Sequence, residues 1–117
     1  MNVVVTTPPS PSEPHVLTLS GEVDVVSVPT VLERIPTLVA EASGVVVDLR
    51  EVSFLDSSGV RFLHRLAHTC GAAGTGMRVV APPECRARRV LDIVGMTLLV
   101  DDSVDAARAA LQEPPST

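Results

Sequence analysis

The chain has 117 residues, a net charge of −5, 45% hydrophobic residues and only 2% aromatic residues, which predicts one domain with an aliphatic core. The negative charge argues against nucleic acid as the main partner, because that binding depends on neutralising phosphates. All nine basic residues besides histidine are arginine, and the absence of lysine excludes a Walker-type phosphate loop and Schiff-base catalysis. There is neither an apolar run of roughly 18 residues nor a basic, apolar leader, so we predict a cytoplasmic protein without membrane contact.

The N-terminal region predicts two strands joined by an unusual connection. Residues 3–5 are an apolar run, and residues 16–20 alternate between apolar and polar, which is typical of strands. Residues 6–14 hold four prolines, cannot pair inside a sheet, and are expected to form a flexible connection. Residues 21–24 are expected to turn the chain.

Helix and strand patterns then alternate along the chain. Apolar residues recur at helical spacing from 28 to 42, where Pro36 is expected to kink or divide the helix. Residues 45–49 are nearly all apolar, which predicts a strand covered on both faces. A second helix should run to about Cys70, with one buried stripe formed by Gly59, Phe62, Leu63, Leu66, Ala67 and Cys70.

The remaining elements are a strand at 77–81, a helix opened by residues 82–84 and ended by Gly95, a short strand at 98–100, a helix at 104–112 and a frayed tail at 113–117. Strands alternating with helices predict an α/β domain over residues 1–117, with about five strands in a central mixed sheet and about four helices packed on it. A functional site is then expected at the carboxyl ends of the strands.

The segment Asp56-Ser57-Ser58, which we call the switch segment, lies where a strand pattern passes through a short loop into a helix. Asp56 is a natural N-cap, because its carboxylate can accept hydrogen bonds from first-turn N–H groups. Unpaired N–H groups at a helix start favour negative charge, and an exposed serine there can carry a phosphate. We interpret Ser57 as a phosphorylation switch, although an isolated trio of this kind would be an ordinary helix cap.

Three stretches resemble the STAS domain, specifically the bacterial anti-sigma factor antagonists, and the resemblance covers roughly residues 16–111. They are Gly21-Glu22-Val23-Asp24, the strand and switch segment from residue 45 to Gly59, and residues 89–96. The long proline-rich segment, Pro36 and the missing lysines depart from the family pattern. The resemblance implies the STAS fold.

The resemblance also implies a regulatory cycle. The unphosphorylated antagonist binds an anti-sigma factor, which is itself an ATP-dependent serine kinase, and thereby frees a sigma factor. The kinase phosphorylates the first serine of the segment, which is Ser57 here, with Ser58 as the alternative. A metal-dependent Ser/Thr phosphatase then resets the switch. The partner-binding residues that this predicts are Asp24, Asp56, Ser57, Ser58, Gly59, Val60, Arg61 and His64.

The helix face formed by Arg61, His64, Arg65 and His68 has two interpretations. It is either an ordinary solvated face or part of a partner surface that adjoins Ser57. Val60, which we expect to be exposed, favours the second interpretation.

Three other functions have less support in the sequence. A STAS scaffold in a stress-signalling complex, without serine phosphorylation, is the main alternative. A phosphoryl-accepting receiver domain would gather carboxylates at one sheet edge, but it needs an acidic pair after the first strand and a lysine. No pattern predicts an enzyme, because a nucleophile–base pair and a phosphate loop are missing. The carboxylates that a receiver-like site would gather are Asp24, Asp48, Asp56 and Asp101.

Neither a cofactor nor a metal site is predicted. His64 and His68 are one helical turn apart, but a third ligand is not apparent. The two cysteines fit no zinc pattern and are expected to be reduced thiols. Cys70 is expected in the core, and Cys85 near a helix N-terminus at the opposite sheet edge, too far away for a disulfide.

Overall fold

Five strands form one mixed sheet in the computed structural model, which describes residues 2–6, 13–23, 33–95 and 100–112. The strands are β1 (Asn2–Thr6), β2 (His15–Val23), β3 (Gly44–Leu55), β4 (Gly76–Val80) and β5 (Val100–Asp101). They lie in the order β1-β2-β3-β4-β5; β1 is antiparallel to β2, and the other neighbours are parallel. The predicted mixed sheet is therefore confirmed.

The described residues contain four helices: α1 (Ile35–Glu41), α2 (Ser57–Ala73), α3 (Arg86–Val94) and α4 (Val104–Gln112). Helices α2, α3 and α4 contact the sheet, and α1 packs against α2. None of the helices in the described part of the chain is long and apolar enough to cross a membrane.

The two faces of the sheet carry separate hydrophobic clusters, because successive strand residues point to opposite sides. Val45, Val47 and Leu49 belong to the larger cluster, which includes the buried stripe of α2 and Leu91 of α3. Val46 belongs to the smaller cluster on the other face, under α4. The aliphatic composition thus fills a core on both sides of β3, as its continuous apolar run predicts.

Strand β3 is longer than the sequence indicates. Instead of ending at Leu49 before a loop, it continues to Leu55 beside β2, whereas its pairing with β4 ends at Asp48. Two register shifts each add one residue to β3 relative to β2, and the alternation of buried and exposed residues is broken there. The predicted loop before the switch segment is therefore wrong, and Asp56 alone separates β3 from α2.

The N-terminal half also differs from the sequence prediction. Gly21 to Val23 continue β2 instead of turning the chain, and Gly21 has a φ of 79°, which favours glycine. Pro36 lies in the first turn of α1, where a missing N–H costs nothing, so it does not kink this helix. The predicted division of a longer helix at Pro36 depends partly on residues outside the described ones and stays a prediction. Three parts of the sequence prediction lie outside the described residues: the start of the predicted first helix at 28–32, most of the proline-rich segment, and Asp24.

Glycine residues end helices α2 and α3. Gly74, with a φ of 71°, closes α2, and Gly95, with a φ of 77°, closes α3 as predicted. Helix α3 begins at Arg86 with Cys85 as its N-cap, later than the predicted opening at residues 82–84. Helix α4 matches its prediction, and residues 98, 99 and 113–117 are outside the described part.

Two glycines allow the C-terminal helix, α4, to pack closely against the sheet. Gly44 and Gly76 are neighbours in the β3–β4 pairing. A Cβ atom built on Gly76 would lie 2.7 Å from one δ-carbon of Leu111, and one built on Gly44 would lie 3.2 Å from the other. The two glycines therefore leave the space in which α4 packs its Leu111 side chain.

Candidate functional site

The switch segment lies at the carboxyl end of β3, where the chain enters α2. Leu55 is buried and fixes the end of the strand, and it is paired with Val23 at the end of β2. The chain then passes through Asp56 to Ser57, the first residue of α2. This places Ser57 at the sheet edge where the sequence predicts a site.

Asp56 caps the helix as predicted. Its backbone is extended, with φ −102° and ψ −170°. Its Oδ1 accepts hydrogen bonds from the N–H groups of Ser58 at 2.9 Å and Gly59 at 3.1 Å. The N–H of Val60 donates to the carbonyl oxygen of Asp56 at 3.1 Å. The Asp56 carboxylate thus satisfies two of the N–H groups that have no acceptor within the helix, and its carbonyl accepts the first regular helical hydrogen bond.

The two serines of the switch segment differ in their exposure to solvent. The Ser57 side chain is exposed, whereas Ser58 is half-buried and Gly59 is buried. Val60 is partly buried and packs against the larger hydrophobic cluster, so the expectation of an exposed Val60 is wrong. Ser57 is therefore the more accessible hydroxyl, and the partner surface cannot rely on a fully exposed valine beside it.

The outer face of α2 is basic. Arg61, His64, Arg65 and His68 are all exposed. They follow Ser57 along one side of the helix, while the opposite side packs Phe62, Leu63, Leu66 and Cys70 into the core. Of the predicted partner-binding residues, the structure places Asp56 to Arg61 and His64 on one continuous segment; Asp24 lies outside the described residues.

The carboxylates of a receiver-like site have other partners. Asp48 is buried and forms an ion pair with Arg50, at 2.8 Å between Oδ2 and Nη2. Burial by itself raises the pKa of Asp48, but hydrogen bonds from the Arg50 side chain and backbone outweigh it and hold that pKa below its usual value. Asp101 pairs with Arg78 at 2.7 Å. Within the described ranges, no group of three acidic, histidine or cysteine side chains could hold a metal ion.

Both cysteines are free thiols. Cys70 is buried in the core as predicted, and burial raises the pKa of its thiol. Cys85 is half-buried at the start of α3, with its Sγ 3.9 Å from the carbonyl oxygen of Leu49.

Two residues beside the segment were missed by sequence reasoning. Phe54 is 51% exposed at the end of β3, and the exposed Glu22 lies opposite it on β2. Simple alternation from the buried Val52 would place Phe54 inside the core, but the register shift between these positions turns it outward. The signal in the sequence is only the apolar pair Phe54-Leu55, which does not reveal which of the two is exposed.

Comparison with known proteins agrees with this architecture. Residues 3–107 match the family model described as STAS domain. A comparison with curated protein sequences gave no match. The crystal structure of an anti-sigma factor antagonist from Mycobacterium paratuberculosis is similar, with 29% sequence identity and a TM-score of 0.81 over 96% of this chain and 94% of that one.

Two further solved structures share the fold. The anti-sigma factor antagonist SpoIIAA in its unphosphorylated form is 19% identical, with a TM-score of 0.78 over 97% of this chain and 100% of that one. The Bacillus cell fate determinant SpoIIAA in its phosphorylated form is 20% identical, with a TM-score of 0.73 over 95% of this chain and 100% of that one. The predicted STAS-type α/β fold is therefore confirmed.

Proposed function

The chain belongs to the STAS domain family, and we propose that it is an anti-sigma factor antagonist whose binding to its partner is controlled at Ser57. The observation that carries this proposal is the exposed Ser57 hydroxyl, held by Asp56 at the first position of α2. The similarity of nearly the whole chain to the mycobacterial anti-sigma factor antagonist supports it. The binding surface comprises Asp24, Asp56, Ser57, Ser58, Gly59, Val60, Arg61 and His64.

The unphosphorylated protein binds an anti-sigma factor of the ATP-dependent serine kinase type, which then releases its sigma factor. The kinase transfers the γ-phosphoryl group of ATP to the Ser57 oxygen, leaving ADP, and a kinase base takes the hydroxyl proton. A metal-dependent Ser/Thr phosphatase hydrolyses the phosphoserine with water and returns inorganic phosphate. The antagonist contributes the accessible hydroxyl and no catalytic group.

Phosphate blocks binding by its charge and size. It adds about −1.5 to −2 charges at neutral pH, directly beside the Asp56 carboxylate. A partner surface complementary to a neutral serine must then accommodate a doubly charged group together with its water. A loss of about 3–4 kcal/mol, which is two to three decades of affinity, is sufficient to dissociate a complex of ordinary strength.

The identity of the phosphorylated residue is tested by intact-mass measurement after incubation with a candidate anti-sigma kinase, ATP and Mg²⁺. Wild type should gain one phosphate, Ser57→Ala should gain none, and the matched control Ser58→Ala should behave as wild type. Phosphate that persists in Ser57→Ala and disappears in Ser58→Ala would move the switch to Ser58.

Binding is tested by titrating the same kinase with the unphosphorylated protein and with the phosphorylated product. We expect tight binding of the first and at least about a hundredfold weaker binding of the second. Tight binding without any phosphate transfer would refute the switch and favour the constitutive STAS scaffold. Absence of binding to every candidate kinase would refute the antagonist function.

A further inference from the structure

The basic residues of α2 form one stripe that starts at Ser57. At 100° per residue, Ser57, Arg61, His64, Arg65 and His68 fall within an arc of about 100° along about 16 Å of helix. All five side chains are exposed. We call Arg61, His64, Arg65 and His68 the basic stripe.

The charges of the basic stripe are not balanced within the described part of the molecule. Helix α2 contains no acidic residue, and the guanidinium groups of Arg61 and Arg65 have no ion pair with any described residue. By contrast, Arg50 and Arg88 are paired with carboxylates. Arg61 and Arg65 are also four residues apart, a spacing at which like charges repel.

The helix cap limits where a phosphate on Ser57 can find donors. Asp56 already accepts from the N–H groups of Ser58, Gly59 and Val60, so the helix start is not the open anion site that its position in the sequence suggests. Helical side chains lean toward the N-terminus, and residues four apart are neighbours. The spacing therefore places Arg61 one turn after Ser57 on the same face of the helix, and the donor fork of an arginine suits a phosphate.

We propose that the basic stripe binds an acidic surface of the partner protein. We further propose that a phosphate on Ser57 forms an ion pair with Arg61, so that Arg61 is no longer available to bind the partner. The inference rests on the proposed function and specifies its chemistry. An acidic partner would need a local positive site on a chain whose net charge is −5, and the stripe supplies it on a rigid helix. The phosphate then weakens partner binding in two ways: it adds negative charge, and it occupies the Arg61 side chain.

The docking surface is tested with the candidate kinase that binds the unphosphorylated wild type. Arg61→Gln/Arg65→Gln should weaken binding about three- to thirtyfold at low salt, and its affinity should depend less on salt concentration than that of wild type. The control Arg86→Gln/Arg89→Gln removes the same charge from two exposed side chains on α3. It should bind as wild type does, and thermal melting should establish that both variants are folded.

The outcomes distinguish this inference from the proposed function. Failure of wild type to bind any candidate kinase overturns both. Wild-type binding with an unchanged Arg61→Gln/Arg65→Gln affinity overturns the basic stripe alone. An equal loss in the α3 control overturns it too, because the effect would then be one of total charge.

The phosphate contact is tested without any kinase, on protein carrying phosphoserine incorporated at position 57 during translation. The Arg61 side-chain Nε–Hε signal in NMR spectra should shift and exchange more slowly with water than in the unphosphorylated protein. The matching Arg65 signal, one turn farther from Ser57, should change much less. Identical Arg61 signals in the two forms would overturn the pairing, whether or not a partner has been found.

Discussion

Replacing Asp56 tests how the switch segment is held. In Asp56→Ala the N–H groups of Ser58 and Gly59 lose their acceptor, which is 2.9 and 3.1 Å away in wild type. Asp56→Asn retains a side-chain oxygen at the same position, and asparagine is as good an N-cap as aspartate. The pair of variants therefore separates loss of the cap from loss of the charge.

The expected size of the effect follows from burial. Loss of an N-cap costs about 0.5–2 kcal/mol of unfolding free energy. Gly59 is buried, so water does not easily replace the lost acceptor for its N–H, whereas Ser58 is half-buried. We therefore expect about 1.5–2 kcal/mol for Asp56→Ala and under about 0.5 kcal/mol for Asp56→Asn.

Urea denaturation and amide hydrogen exchange measure the two consequences. With a slope of about 1–3 kcal/mol per molar urea, the midpoint of Asp56→Ala should fall by about 0.5–2 M. Exchange of the Gly59 and Val60 amides should accelerate in Asp56→Ala and remain near wild type in Asp56→Asn. Equal stability of the alanine variant and wild type would refute the capping argument; equal losses in both variants would assign the effect to the charge.

Three further predictions concern the fold that positions the site. Arg50→Gln should cost about 1 kcal/mol at pH 7, because it leaves buried Asp48 without its cation. The contacts of Arg50 hold the folded-state pKa of Asp48 below its ordinary value, so this stabilisation is present above the ordinary pKa of an aspartate, about 4, and is lost as the pH falls through the folded-state pKa. Urea unfolding should therefore show the two proteins converging in acid. A difference that stays constant on acidification would contradict this. Gly76→Ala, which brings a Cβ to 2.7 Å from Leu111, should destabilise by about 1 kcal/mol, with relief in the Leu111→Ala background; additive losses in a double-mutant cycle would refute the contact. The thiol of Cys70, which is 1% exposed, should react with a thiol reagent only at the rate of unfolding, and rapid labelling of the native protein would contradict its place in the core.

Local patterns predicted the helix that carries the site. The spacing of Phe62, Leu63, Leu66 and Cys70 fixes which side of α2 is buried, and the position of Asp56 fixes where the helix begins. Both signals depend on residues within four positions of one another. For that reason the exposure of Ser57 and the basic stripe could be predicted before the strands were placed.

The end of β3 could not be predicted in this way, because it depends on pairing with β2. The two register shifts arise from how Thr18 to Glu22 lie against Asp48 to Phe54, and a change of register by one residue moves side chains to the other face. The sequence pattern ends the strand at Leu49 and leaves the residues after it to a loop, so it does not predict the exposure of Phe54. The length of β3 and the exposed Phe54 are thus properties of the sheet.

The packing around Ser57 favours a switch that acts on the surface without refolding the domain. Leu55 before it, and Gly59 and Phe62 after it, are buried, and Asp56 holds the turn between them. A phosphate on the exposed Ser57 side chain meets none of these buried groups. A change worth a few kcal/mol at a partner interface can therefore leave the core unchanged, and backbone amide NMR shifts of the phosphoserine protein should differ from wild type only near the start of α2. Widespread shifts across β3 and β4 would refute this local mechanism.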